Sequence, residues 1–256
     1  MGIVNVTPDS FSDGGKHLQR DAALVHALGL IAEGADILDI GGESTRPGAR
    51  PVSIQEEMDR VLPIIEELRD AAVPISIDTF KPEVMLAAIA AGAQMVNDIN
   101  ALQNAAAMNT VAASHAAVCL MHKQGNPQTM QEQPVYQNVV AEVCAFLCDR
   151  IAAAEAAGIK RDRIVIDPGF GFGKTLAHNL ALLRGLNELA ALGVPVLAGL
   201  SRKSMLGALT GQDVAQRLPA SVAAALIAVQ LGANIVRVHD VRATVDALKI
   251  LRAVDS

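Results

Sequence analysis

Eight times along this chain of 256 residues, a short apolar run is followed by a stretch with helical periodicity. No other feature narrows the choice of fold as far. The runs cover residues 2–7, 36–42, 74–79, 95–100, 117–122, 164–169, 195–201 and 235–240. The helical patterns cover 20–33, 53–70, 81–91, 104–114, a long segment ending near Ala157, 176–191, several turns up to Leu231, and 241–253. Ser53 with Glu56 three residues on reads as a capping box. Pro82 suits the first turn of its helix. Strands that alternate with helices form a parallel sheet. Eight such units, with no linker or break in composition, predict an α/β fold: a (β/α)8 TIM barrel, one domain spanning 1–256. An open doubly wound sheet is the alternative.

Composition narrows the function. A chain that is 51% hydrophobic can bury a large core, and a net charge of −6 argues against nucleic-acid binding by phosphate neutralisation. Any basic cluster is then local, which suits a small anionic ligand. The odd, sparse cysteine count fits a reducing compartment. Cys144 and Cys148 stand four apart on a helical pattern, not at a metal-knuckle spacing, and are expected to be small buried apolar residues. No run reaches the length of a membrane span and the N-terminus is no signal peptide. The expectation is a soluble cytoplasmic protein.

Barrels carry their chemistry where the strands end. Here those ends hold Asn5, Asp39, Asp78, Asn97, Met121 with His122, Asp167, Ser201 then Lys203, and Arg237 with His239. Any one of them could be a satisfied core polar group. Eight at one rim are hard to explain as packing. Side chains alternate along a strand, so Arg237 and His239 share one face and Val236 and Val238 the other. Two cations on an inner face call for an anion there, or for neighbouring carboxylates. Asp78, Asn97 and Asp167 offer acceptors and an amide, which suit a flat heterocycle rich in N–H groups. Lys203 could bond a ring carbonyl or nitrogen. Arg237, His239 and Asn5 offer donors for phosphate-like oxygens. Phe11 and Phe172 offer aromatic walls, and the long loops after the first two strands can close over the site.

Some signals are false. Residues 169–175 look like a phosphate loop, but Gly169 and Gly173 enclose three residues where that motif needs four. Those glycines are expected to serve turn geometry and close approach to a ligand. The chain has no zinc-ligand spacing and no Gly-x-Ser-x-Gly elbow.

Taken together, residues 1–15, 41–48, 76–79, 96–98, 167–174, 201–204 and 237–239 resemble the bacterial dihydropteroate synthase family, in family order and across nearly the whole chain. The one gap is a short N-terminal segment that usually precedes Met1. The resemblance implies that para-aminobenzoate displaces pyrophosphate from 6-hydroxymethyl-7,8-dihydropterin pyrophosphate, giving 7,8-dihydropteroate for folate synthesis. It implies that Asp78, Asn97, Asp167, Lys203, Met121 and Phe172 hold the pterin, and that Asn5, Arg237 and His239 hold the pyrophosphate. Phe11, Thr45, Arg46, Pro47 and Ser201 would frame the aminobenzoate, with Phe172 and Lys203 beside them. Asn5 and Asp13 would bind Mg2+, and Asp78, Asp167, Lys203, Arg237 and His239 form the implied catalytic set. The step is expected to be dissociative, sulfonamides are expected to compete with aminobenzoate, and a homodimer through residues 218–231 and 241–253 is expected by analogy. Two other readings stay open: a methyltetrahydrofolate-dependent methyltransferase on the same type of barrel, and a non-catalytic pterin-binding barrel.

Overall fold

The computed structural model describes residues 1–6, 16–44, 50–125 and 134–255. Six strands pair in parallel and in chain order: β1 (Gly2–Asn5), β2 (Leu38–Gly41), β3 (Ile75–Asp78), β4 (Met95–Asp98), β5 (Ala117–Met121) and β6 (Ile164–Asp167). Two short strands, β7 (Leu197–Ala198) and β8 (Ile235–Val236), pair with each other. Parallel bridges join the two sets, Ile166 to Val196 on one side and Gly2 to Val238 on the other. The Ile166 N–H donates to the Pro195 carbonyl at 2.9 Å, Ile3 N–H to Val238 at 3.1 Å, and Val238 N–H to Met1 at 3.0 Å. The ring therefore closes, as the (β/α)8 expectation requires, and the open sheet is excluded.

The strands are apolar on both faces because both faces are covered. Outward residues such as Val4, Ile40, Ile77, Val96, Leu120 and Ile166 are fully buried under the helices. A second, smaller apolar cluster of Met1, Met95, Cys119, Val165 and Leu197 forms a floor inside the ring. Most of the next inward positions up the strands are polar. In register, Asp39 lies beside Ser76, Asn97 beside Asp78, and Met121 beside Asp167. Polar groups here have a dry floor below and the rim loops above.

Helices α1 (Lys16–Ala32), α2 (Ile54–Glu67), α3 (Pro82–Ala91), α4 (Ala105–Ala112) and α5 (Val139–Ala156) follow β1 to β5. Ser53 caps α2 by accepting from the Glu56 N–H at 3.2 Å, while Glu56 pairs with Arg60 rather than completing the box. Pro82 opens α3. The helix expected over 176–191 is two helices, α6 (Leu176–Arg184) and α7 (Leu186–Ala190). They divide at Gly185, where a Cβ would stand 2.9 Å from Val140 of α5. Then come α8 (Ser204–Thr210), α9 (Leu218–Gln230) and α10 (Val241–Asp255). The cysteine expectation fails for α5: Cys144 is half-buried and Cys148 exposed. That helix buries Val143, Leu147 and Ala154, and each cysteine sits one residue, about 100°, round from the buried stripe.

Candidate active site

The rim is organised around Arg237. Its strand position turns it inward, between Val236 and Val238, which pack outward. Its Nε donates to Asp39 Oδ2 at 2.5 Å and its Nη2 to Asp78 Oδ2 at 2.7 Å. Asp39 Oδ2 also accepts from Asn97 Nδ2 at 3.1 Å. Three strands from one side of the ring thus meet the strand that arrives last in sequence. Of the two origins the sequence left open for the inner cations, neighbouring carboxylates account for two edges of Arg237. Its Nη1 makes no hydrogen bond among the described residues.

Burial and charge crowding act on this cluster. Desolvation pushes the Asp78 carboxyl up to about 7 against the pull of Arg237, and Asp39 and Glu57 add to the rise. Burial also raises Asp167, against Lys203 and the Gly169 N–H, which donates to Asp167 Oδ1 at 2.7 Å. Of the buried atoms that lack hydrogen-bond partners among the described residues, three lie in this cluster: Asp39 Oδ1, Asn97 Oδ1 and Ser76 Oγ. A buried acceptor without a donor costs about 1–3 kcal/mol. Their grouping in one inner layer marks a place where N–H groups of a ligand would be taken up.

Opposite this cluster lies Lys203, at the start of α8. Its ammonium donates to the Phe170 carbonyl and stands 4.9 Å from the centroid of the Phe172 ring. Burial lowers it to about 8, against the nearby Asp167 carboxylate. Ser201 is buried, and its Oγ lies 3.0 Å from His239 Nδ1 and accepts from the His239 N–H at 3.2 Å. Met121 is buried with its Cγ against Gly169. Asn5 ends β1 half-buried, and its side chain makes no hydrogen bond among the described residues.

The structure thus brings Asn5, Asp78, Asn97, Met121, Asp167, Phe172, Ser201, Lys203, Arg237 and His239 to one end of the barrel. Phe11, Asp13, Thr45, Arg46 and Pro47 lie outside the described residues. Gly169, Gly171 and Gly173 serve turn geometry, at φ of 68°, 79° and 62°. Two of them also approach protein closely: a Cβ on Gly169 would lie 1.9 Å from the His122 carbonyl oxygen, and one on Gly173 would lie 2.3 Å from that of Gln124. Asp39, given no role from sequence, is the carboxylate that joins Arg237 to Asn97. Its signal was its inward register beside a polar Ser76 on the next strand. Lys174 was given no role, and His122 none beyond its place at a strand end. They are buried together, with Lys174 Nζ 3.0 Å from His122 Nδ1. Burial lowers Lys174 to about 7, and burial with the adjacent ammonium lowers His122 to about 3.

Residues 1–239 match the family model described as pterin binding enzyme. The chain is 50% identical over 254 residues to a dihydropteroate synthase of Escherichia coli K12, covering 99% of this chain and 90% of that one. It is similar in structure to a dihydropteroate synthase of Xanthomonas albilineans solved with 4-aminobenzoic acid, at a TM-score of 0.94 and 57% identity, covering 100% of this chain and 92% of that one. The same enzyme with 7,8-dihydropteroate aligns at a TM-score of 0.91 and 55% identity, again covering 100% and 92%. A Yersinia pestis dihydropteroate synthase in complex with a sulfonamide drug aligns at 0.94 and 49% identity, covering 99% and 93%.

Proposed function

The chain belongs to the pterin-binding enzymes and, within them, to the dihydropteroate synthases, and on that premise we propose how its own residues carry out the family's reaction. The reaction joins the dihydropterin pyrophosphate ester to para-aminobenzoate. The bond from the pterin methylene carbon to pyrophosphate oxygen breaks, a bond to the amine nitrogen forms, and one amine proton is released. The observation that carries this reading is the inner polar layer: Asp39, Asp78, Asn97 and Asp167 around Arg237 and Lys203, with acceptor atoms buried and unpartnered. A pterin presents a row of ring N–H groups and a carbonyl. Asn97 and Asp167 would accept from the first and Lys203 would donate to the second, while Phe172 and Met121 supply apolar walls.

Two buried carboxylates, Asp78 and Asp167, favour positive charge on the ring as pyrophosphate departs. Arg237, through its free Nη1 edge, together with His239 and Asn5 would hold the leaving anion. Ser201 orients the His239 ring through its hydroxyl. The aminobenzoate is read as framed by Ser201 and by Phe11, Thr45, Arg46 and Pro47, the group that sulfonamides would contest.

Magnesium fits the donor chemistry. Mg2+ is held by one or two protein oxygens plus substrate phosphates, and the Asn5 amide stands half-buried at the rim with no partner among the described residues. Asn5 and Asp13 would hold the ion, which when bound neutralises charge on the pyrophosphate. The reading further puts the protein in the cytoplasm, in keeping with its sparse cysteines. Among the described residues no helix is long and apolar enough to cross a membrane.

The test is pyrophosphate release with the ester, aminobenzoate and Mg2+ all present. Release is expected only with both substrates and should fall when Mg2+ is chelated. Binding of the ester with no release would leave a non-catalytic barrel, and methyl transfer dependent on cobalamin would move the chain to the methyltransferases.

A further inference from the structure

The loop of residues 169–173 serves the site at three points, and most of its own hydrogen bonds run to side chains outside it. It offers the Phe170 carbonyl and the Phe172 ring to Lys203, and the Gly169 N–H to Asp167. Three of its five residues have a left-handed backbone. Within the loop the Phe172 N–H donates to the Gly169 carbonyl at 3.1 Å, and the Gly171 N–H donates out of it to Asn179 Oδ1 at 2.7 Å.

Lys174 holds the loop by its carbonyls. Its side chain is buried, and its ammonium donates to the carbonyls of Gly169 and Phe172 at 3.0 Å each and to that of His122 at 3.4 Å. It also lies 3.0 Å from His122 Nδ1. The His122 ring is neutral at physiological pH because burial disfavours its charged form, so Nδ1 can accept. No carboxylate bonds this ammonium among the described residues. Burying a charge on neutral acceptors costs several kcal/mol in desolvation, so an apolar side chain would serve simple packing better. What the ammonium adds is a set of three N–H donors, shared among four acceptors, that joins the loop after β6 to the end of β5. The Tyr136 hydroxyl, donating to the Gly173 carbonyl at 2.9 Å, ties the far end of the same loop.

We propose that Lys174 is a positioning residue of the reaction: by gripping Gly169, Phe172 and His122 it fixes the loop that orients Lys203 and Asp167 toward the pterin. The inference rests on the pterin reading above. It predicts a split that a purely structural role would not produce. The Asn5 side chain makes no hydrogen bond among the described residues, and Arg237 bonds Asp39 and Asp78 rather than this loop, so the two halves of the substrate should respond differently.

The experiment compares wild type with Lys174→Met and Lys174→Gln by calorimetric titration, once with the pterin pyrophosphate ester and once with inorganic pyrophosphate and Mg2+. In Lys174→Met the ester should bind about tenfold more weakly or worse, as when a charge-assisted hydrogen bond is misplaced. Inorganic pyrophosphate should bind as in wild type. Lys174→Gln keeps an N–H donor for the carbonyls and should lie between the two. Equal losses for both ligands, no loss for either, or failure of both variants to fold would each overturn the proposal in favour of a structural lysine. If the wild type binds the ester but releases no pyrophosphate, the catalytic reading fails alone, because Lys174 is judged on binding. If the wild type does not bind the ester, the pterin reading fails and this inference falls with it.

Discussion

Arg237 lies between two carboxylates from different strands, and that placement sets what single substitutions should do. Asp39 is wholly buried, so Arg237→Met leaves an uncompensated charge beneath the site. Breaking one side of such a pair costs about 3–5 kcal/mol. Urea unfolding should register that loss, and Arg237→Met combined with Asp39→Asn should recover part of it. If the double variant is as unstable as the sum of the single ones, the pair is not coupled. The titrating groups set a pH window as well. Asp78 accepts fully only when ionised, above about 7, and Lys203 keeps its charge only below about 8. In Lys174→Gln, which removes the lysine that also titrates near 7, ester affinity should therefore rise with pH through 7 and fall beyond 8, and a flat calorimetric profile from pH 6 to 9 would count against both assignments. The rim residues were legible in sequence because alternation along a strand is reliable where an apolar run ends in Asp, Asn or Arg. Asp39 was harder to interpret because it sits one layer below the rim, where a carboxylate is read as packing until its partner from the far end of the chain is known. Lys174 was hidden by its neighbours. A glycine-rich loop ending in lysine suggests phosphate, and nothing local reveals that the lysine turns back onto the loop's own carbonyls and onto His122 of another strand.

At the scale of elements, the eight strand–helix units were readable because their periods differ, and Gly and Pro mark the joins. The joint at Gly185 was not, since it depends on how closely α5 approaches. The loop after β6 gives a direct test of backbone constraint. Gly158, at φ of 94°, has open space where a Cβ would go, whereas Gly169, at 68°, has the His122 carbonyl there. Gly158→Ala should cost only the left-handed backbone penalty, about 1–2 kcal/mol. Gly169→Ala must in addition displace a strand-end carbonyl, so its unfolding free energy should fall further and its ester affinity with it. Similar losses for the two variants in denaturant titrations would mean that the loop yields freely.

For the whole molecule, apolar side chains are exposed at several places, the C-terminal helices among them. Leu209, Val214, Leu218 and Ile227 of the α8–α9 region are exposed, as are Ile250 and Val254 of α10. These neighbouring stretches include the helices that family resemblance assigns to a homodimer. Sedimentation should therefore find a dimer that Ile227→Asp dissociates, and an unchanged dimer in that variant would place the contact elsewhere. The seam between Gly2 and Val238 has a consequence in time rather than in space. Domains take shape while the chain is still emerging from the ribosome, N-terminal parts first. The first strand made must wait for almost the last, 236 positions on, before its outer edge is paired. Until then the nascent sheet is an open ribbon, with Asp39 and Asp78 facing each other without their cation. When the final strand arrives, one residue after another closes the ring, neutralises the carboxylates and completes the rim. A chain released a few residues short of Arg237 would therefore lack closure, charge balance and substrate site together, and a cell's quality control would meet it as a sticky sheet edge rather than as a slow enzyme.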